Sequence, residues 1–529
     1  MIVDRPTFSL WVPLGLFVVM TMFGISIHEM WRDELEIWLV ARDSGSPLDL
    51  LRNLKTQGHP ALWYVLVYIV TRVSHNPLTM QLLSVGIGAC TAYGILRYAP
   101  FTVFQRWMLV FGYYCLYEYT VISRHYGLAV LLVCLFCIRF VKTRRLDGMG
   151  VLWLFLLANT TLQGAIFASH ILLIIVFRFG FRAGWDELRA DRKLLARSGL
   201  VVLGVVVGVA QVVFEGLMMG DAHLGVHQPT WDLAWVGGAL STVTTGWVAL
   251  PNPAEFHLWN STVLSALPDS FATAVGALLG IVIIVTAIRQ LSRQRTLSVV
   301  FALGSIVLLA IVLFVWFGSM RHHGQLFLWF VTCCWLWYGL ESETTPAAET
   351  PRPGGVFLTA TLGLQVVAMV LLFVADVRHP FSNARAVGEH LSRPEFSGVP
   401  VVGSVDYAAE PVAAYRPGPI YYPENDHFGT FIDWGPRRRH VPVSEVLEDA
   451  RRLSIESGSD VVVVLNYPPA NMRIGDVKPY DGGSVLRYFG QFGGALVADE
   501  NYHLLQLATR PAIPSDDNVD RSPDRPDNE

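Results

Sequence analysis

Residues 296–320 read TLSVVFALGSIVLLAIVLFVWFGSM, and beyond Arg321, His322 and His323 the chain resumes at residues 324–340 as GQLFLWFVTCCWLWYGL. Neither run carries Asp, Glu, Lys or Arg, and a membrane-crossing helix takes about 20 mainly apolar residues. Lipid offers the backbone no hydrogen-bond partner, so such runs must close their bonds internally as helices. Working outward, comparable runs occupy residues 6–30, 148–177, 198–214, 270–288 and 353–375, with shorter ones between Pro60 and Ile138. The first run has no small-residue cleavage site before the acidic cluster beyond it, and it reads as a retained anchor rather than a signal peptide.

Of the 529 residues, 53% are hydrophobic and only 16% charged, against about 25% charged in a soluble domain. The deficit is confined to the chain before Asp376. The remainder of the chain has soluble composition and ends in PAIPSDDNVDRSPDRPDNE. This divides the protein into a polytopic α-helical membrane region, residues 1–375, an external α/β domain, residues 376–510, and a polar tail, residues 511–529, expected to be disordered. The net charge of -4 comes with no basic stripe interleaved with aromatics, which sets nucleic-acid binding aside. All six cysteines lie in apolar runs, so no disulfide framework is implied, and the CxxC of Cys134 and Cys137 reads as small hydrophobic packing.

Lys and Arg in short loops stay on the cytoplasmic side. RFVKTRR at 139–145, the basic segment 178–197 and RQLSRQR at 289–295 are therefore cytoplasmic. Residues 148–177 lie between two of these and must cross twice, as a hairpin turning near residues 159–163. The same count puts the N-terminus and ESETTPAAETPRPGG (341–355) inside, and residues 220–268, GSMRHHGQ (318–325) and everything after Asp376 outside. Residues 29–59 and SRHYG (123–127) also fall outside. Three apolar segments, 60–73, 80–96 and 107–122, lie between those two points. An odd number cannot all span, so one is re-entrant or interfacial.

In the external region GVPVVGSV (398–405), GPIYYP (418–423), DVVVVLNY (460–467) and YHLLQLA (502–508) read as short strands, and VSEVLEDARRLSIE (443–456) as a helix. No glycine-rich phosphate loop appears there.

Three clusters could carry chemistry. The first external loop opens HEMWRDELEIWLVARD (28–43) and closes QGHPALWYVL (57–66). Asp33 and Glu34 are adjacent carboxylates beside a low-dielectric region that can raise a carboxyl pKa toward a useful base; a solvated acidic helix start is the bland reading. His59 before Pro60 also suits an interfacial helix start. The stretch YYCLYEYTVISRHYGLAV (113–130) sets Glu118, Arg124, His125 and Tyr126 in apolar surroundings, where ionisable residues are costly and functional by default. Against that stands an Arg124 that snorkels and pairs with Glu118. Arg321, His322 and His323 form the third cluster. Arginine grips phosphate with a bidentate fork, and adjacent histidines rarely ligate one metal together, so hydrogen bonding or interface placement is the expectation for the pair.

The order of these features resembles the GT-C superfamily of membrane glycosyltransferases, in its protein O-mannosyltransferase and aminoarabinose-transferase branch of bacterial type. The matching elements are an acidic pair after the first span, a helix starting HPAL-WY, an SR-x-Y motif, an Asn-Thr hairpin and a late external Arg-His cluster, over roughly the first 340 residues. The resemblance implies a fold of about 11 to 13 helices in a bacterial plasma membrane and a polyprenyl-phosphate sugar as donor. It makes Asp33 the catalytic base, with Glu34 beside it. The HPPL-type motif matches His59, Pro60, Ala61 and Leu62, with Ala61 departing from the second Pro; SR-x-Y matches Ser123, Arg124 and Tyr126. No metal ligand set stands out, which leaves a divalent cation open. The chemistry that fits is inverting displacement, with Asp33 taking the proton of an acceptor hydroxyl on protein, glycan or lipid, and Arg124, Arg321 or both receiving the leaving phosphate. Two other classes compete, a secondary transporter and a non-catalytic membrane scaffold. The chain lacks the internal repeats of the first, and the second leaves Asp33 and Glu34 without a task.

Overall fold

The computed structural model describes residues 8–219, 232–341 and 354–509. Residues 220–231 of the expected external loop, most of the 341–355 loop and the 511–529 tail lie outside these. The chain is an integral membrane protein, mostly helical, with a sheet domain at its C-terminal end. Among the described residues seven helices are long and apolar enough to cross a membrane: Leu10–Ile27, Leu78–Tyr98, His125–Thr143, Arg192–Met219, Asp269–Leu291, Arg295–Phe314 and Gly355–Arg378. The helix Met320–Glu341 is not among them, and it is buried along almost its whole length by its neighbours. Its Trp329, Phe330, Cys333, Cys334 and Trp337 are packed in the main core.

Leu62–Thr71 is a helix of 10 residues, about 15 Å long and half of what the hydrocarbon needs. It packs on the Arg32–Asp43 helix; of the three segments between residues 60 and 122, only Leu78–Tyr98 is long and apolar enough to cross. The hairpin expected within residues 148–177 forms from Gly148–Ala158 and Leu162–Val176, turning at Asn159, Thr160 and Thr161. Its second arm then bends by 91° into Phe181–Ala190. Residues 232–268 are more than a loop. Leu233–Val248 is a helix lodged between Asp269–Leu291 and Met320–Glu341, and the returning chain delivers Trp259 to the charged site around Asp33.

The stretch before SRHYG is a π-helix, Tyr113–Val121, a wide turn that often marks functional positions. Two close approaches fix what surrounds it. A Cβ on Gly127 would lie 2.3 Å from the Tyr119 carbonyl oxygen, and one on Gly324 would lie 2.2 Å from the Tyr114 ring.

The C-terminal domain is a seven-stranded sheet: β1 Val401–Ser404, β2 Ile420–Tyr422, β3 His427–Gly429, β4 Val461–Leu465, β5 Val477–Pro479, β6 Ser484–Phe492 and β7 Tyr502–Thr509, in the order β3-β2-β1-β4-β7-β6-β5. The four stretches read as strands are β1, β2, β4 and β7, and the expected helix is Val443–Ser457. β1 runs parallel to β2 and β4; the other pairs are antiparallel. The VVVVL of β4 is buried on both faces, as a central strand must be. Helix Val443–Ser457 covers one face with Val446, Ala450 and Leu453. The other face packs on Ala384–Leu391 and on Leu39 of the Arg32–Asp43 helix, so domain and bundle share a core.

Tyr114 is stacked between Tyr119 and Phe327 and donates to the Gly246 carbonyl at 2.9 Å, so it has nowhere to yield. Gly324→Ala is expected to lower stability by about 1–3 kcal/mol, the usual cost of overpacking a filled core. Thermal unfolding in detergent measures this, and an unchanged midpoint would show that the ring moves.

Candidate functional site

The Arg32–Asp43 helix starts with acids in its first turn, where the helix N-terminus favours negative charge. Residues three apart share a helix face. Asp33 and Glu36 accordingly face one way and line a cavity of about 240 Å³ with Arg32, roofed by Tyr407, Glu410, Trp434 and Arg438 of the C-terminal domain.

Asp33 is the centre. Its Oδ2 accepts from Arg124 in a short ion pair and from Arg321 Nη2 at 2.7 Å, and Arg32 Nε lies 3.7 Å from Oδ1. The three clusters separated in sequence thus converge. Burial alone would push the Asp33 carboxyl up, but Arg124, Arg321 and Arg32 outweigh it and hold it at about 2. The low-dielectric neighbourhood predicts a raised carboxyl pKa here; direct ion pairing to the guanidiniums, which the sequence does not specify, reverses the sign. Arg321 sits over the rings of Trp31 and Trp259, 5.2 and 5.9 Å from their centroids, and its side chain is 9% exposed. The Nε atoms of Arg124 and Arg321 are buried with no hydrogen-bond partner among the described residues.

Glu34 points away from the cavity and is fully buried. One carboxylate oxygen accepts from the Ser123 backbone N–H at 2.6 Å; the other takes His28 Nε2 at 3.1 Å and the Trp31 N–H at 3.3 Å. His28 Nδ1 continues to Asp376 at 2.9 Å, which also receives the Tyr117 hydroxyl at 2.9 Å. Glu34 is therefore a positioning residue. It fixes the backbone one residue ahead of Arg124 and locks the end of the first helix to Gly355–Arg378.

The remaining predicted residues divide. His59 Nε2 lies 3.4 Å from Arg124 Nη2, and burial followed by the Arg124 charge lowers its pKa to about 3, so it is a neutral imidazole. Its ring packs on His125 at 4.6 Å, and His125 on Tyr126 at 4.2 Å. The Tyr126 hydroxyl reaches His322 Nε2 at 2.7 Å. Both ring nitrogens of His125 are buried without a partner among the described residues. His323 turns into the bundle, bonded to Thr245 Oγ1 at 2.9 Å and the Phe317 carbonyl at 3.0 Å. Glu118 does not form the ion pair with Arg124 that its spacing allowed. It accepts from Tyr113 at 2.5 Å and Trp259 Nε1 at 3.2 Å, behind Arg321.

Sequence reasoning missed the cavity's other wall. Trp434 Nε1 donates to Glu36 at 2.5 Å, Tyr407 and Trp434 stack with centroids 6.4 Å apart, and Arg438 forks onto Asp406 at 2.6 Å while lying 4.7 Å over Trp434. Burial, with the Asp33 charge helping, pushes Glu36 up to about 7, and burial with the Glu36 charge pushes Glu410 well up. A helical i, i+3 repeat from Asp33 to Glu36 was the one signal available beforehand. No group of three or more His, Cys, Asp or Glu side chains among the described residues is arranged to hold a metal ion. No family model matches the chain, and no curated protein matches it as a relative.

Because the folded protein keeps the Glu36 proton above its ordinary value of 4.5, the folded state binds more protons than the unfolded chain between about pH 4.5 and 7, and stability falls as pH rises through that window. Gln carries no titrating proton. Glu36→Gln is expected to match the parent near pH 4.5 and to exceed it above pH 7 by on the order of 1–3 kcal/mol. Melting curves across that range would contradict the assignment if the two stayed parallel.

Proposed function

We propose that this chain is a GT-C-like membrane glycosyltransferase that moves a sugar from a polyprenyl-phosphate donor to an acceptor hydroxyl at the extracytoplasmic face of a bacterial plasma membrane. The single observation that carries the reading is the convergence on Asp33 of Arg124 and Arg321, both nearly buried, at the bundle end capped by the C-terminal domain. A lipid phosphate leaving group needs fixed cations where its charge grows, and a site at the bilayer surface lets the prenyl tail remain in hydrocarbon. Sidedness follows from the basic residues at the opposite end, where Arg144, Arg145, Arg178 and Arg197 gather. They would be cytoplasmic, which puts the N-terminus inside and the sheet domain outside.

In the reaction the acceptor oxygen attacks the anomeric carbon as the bond from that carbon to the phosphate oxygen breaks. The electron pair leaves with the phosphate, onto Arg124 and Arg321, and the hydroxyl proton passes to a carboxylate. Asp33 is the base in this scheme. Its low pKa belongs to the state in which both arginines are turned to it; an incoming phosphate competes for those donors and leaves burial to raise it. Glu36, one turn along the same wall, is the second proton acceptor in reach. His59, His125, Tyr126 and His322 form a chain of contacts running from Arg124, and Tyr407 and Trp434 in the cavity roof are the aromatic surfaces a sugar or glycan acceptor would meet.

The test is release of polyprenyl phosphate from a polyprenyl-phosphate sugar by the purified chain supplied with envelope lipid and glycan extract. Asp33→Asn, Arg124→Ala and Arg321→Ala are each expected to slow it by about 10²–10³, the scale of losing one preorganised donor or base. Near-parental turnover in folded variants removes the reading. A rate that rises through about pH 7 and loses that rise in Glu36→Gln assigns the proton to Glu36; a flat profile leaves it with Asp33.

A further inference from the structure

At the end of the bundle away from the sheet domain, the helix His125–Thr143 stops at Arg144, which adopts φ 54° and ψ 21°. That left-handed cap is a position glycine ordinarily takes, and here it sends Arg144 and Arg145 into a cavity of about 590 Å³ that they line with Arg178 and Arg197. The volume is that of a small-molecule site, about 300–1,000 Å³. Two acids share the lining, and both are committed. Glu187 holds Arg178 at 2.5 Å, and Asp191 caps the Arg192–Met219 helix through the backbone N–H groups of Lys193 and Leu194. Arg197 donates once, to the Leu146 carbonyl at 3.0 Å, and neither it nor Arg145 forms an ion pair with an acid among the described residues.

The helix Phe181–Ala190, which contributes Glu187 to the lining, leaves the preceding helix at 91°. Phe181 and Trp185 on it and Phe179 just before it are 72%, 42% and 70% exposed, and Arg189 lies over Trp185. Exposed aromatics flanked by arginine on a helix lying across the bundle end are the signature of the headgroup layer. Arginines that merely marked the cytoplasmic side would point in separate directions; these four line one cavity, with Arg145 exposed in it and Arg144, Arg178 and Arg197 half-buried.

We propose that this cavity is a binding site for the phosphodiester headgroup of an anionic phospholipid, held by Arg145 and Arg197 with Arg144 and Arg178 completing the wall. The site is independent of the sugar-transfer reading. Its test uses the full chain in mixed nanodiscs of phosphatidylglycerol and phosphatidylcholine, followed by detergent extraction and mass spectrometry of the retained lipid. Phosphatidylglycerol is expected to be retained in preference to phosphatidylcholine, and Arg145→Gln/Arg197→Gln to reduce that preference about tenfold, two charge-assisted contacts being worth at least that. Arg289→Gln/Arg293→Gln, the same charge loss outside the cavity, is expected to leave retention unchanged, and melting curves check that both variants fold. Equal retention of the two lipids, or equal loss in both variants, overturns the site. Displacement of the lipid by inorganic phosphate overturns the lipid reading in favour of a free-phosphate site.

Discussion

One carboxylate between three guanidiniums is the constraint on which the rest of the architecture turns. Arg124 and Arg321 have side chains 5% and 9% exposed, and Asp33 is the acid that pairs with both. Removing a charge from water costs several kcal/mol unless it is matched, and two buried arginines sharing one aspartate are matched only in part. Arg32 adds a third cation at the rim, already shared with Asp499 in the C-terminal domain. The site therefore carries an excess of positive charge in low-dielectric surroundings. An anion entering it is stabilised by charges whose desolvation was met when the protein folded.

Holding those arginines in place employs much of the neighbouring structure. The π-helix and the Tyr119–Gly127 approach bring Ser123 within reach of Glu34, and Glu34 in turn is held by His28 and so by Asp376. Trp31 and Trp259 support Arg321 from below. The sheet domain is fastened by the same short helix that bears Asp33: Leu39 lies in the domain's core, Arg32 N–H donates to Glu500 at 2.9 Å, and Trp434 donates to Glu36. Movement of the domain would thus be felt at Asp33 directly, through a helix of 12 residues.

Much of this was legible in the chain because lipid and charge write themselves in composition. Long uncharged runs can only be helices in a bilayer, and the strand at 461–465 follows from four consecutive valines, with the valines of 401–404 a weaker form of the same signal. The expected meeting of Asp33, Arg124 and Arg321 rested on their common side of the membrane, and the structure brings them together. Pairing and direction were not legible. Nothing local distinguishes Asp33 from Glu34, yet one faces a cavity and the other a buried histidine, because adjacent residues on a helix point about 100° apart. Proximity in sequence left Glu118 open either as a site residue or as a partner of Arg124; the π-helix turns it toward Tyr113 and Trp259 instead. The helix at Leu233–Val248 escaped detection because its Thr, Ser and Gly content dilutes an apolar pattern; those small residues are what let it pack closely against its neighbours.

The opposite protonation tendencies of Asp33 and Glu36 follow from one geometry. Both are carboxylates on the same helix face in the same cavity, so burial acts on each in the same direction. What separates them is access to the guanidiniums: Asp33 takes the hydrogen bonds of Arg124 and Arg321, while Glu36 has an indole N–H and two neighbouring carboxyls, Asp33 and Glu410. Two titratable groups driven apart by their surroundings are how one site can hold a fixed charge and a mobile proton together at neutral pH. On the proposed reading this couples binding to proton transfer. A phosphate that draws the arginines away from Asp33 removes its stabilisation as an anion, so the carboxylate becomes a better proton acceptor only once the donor is bound.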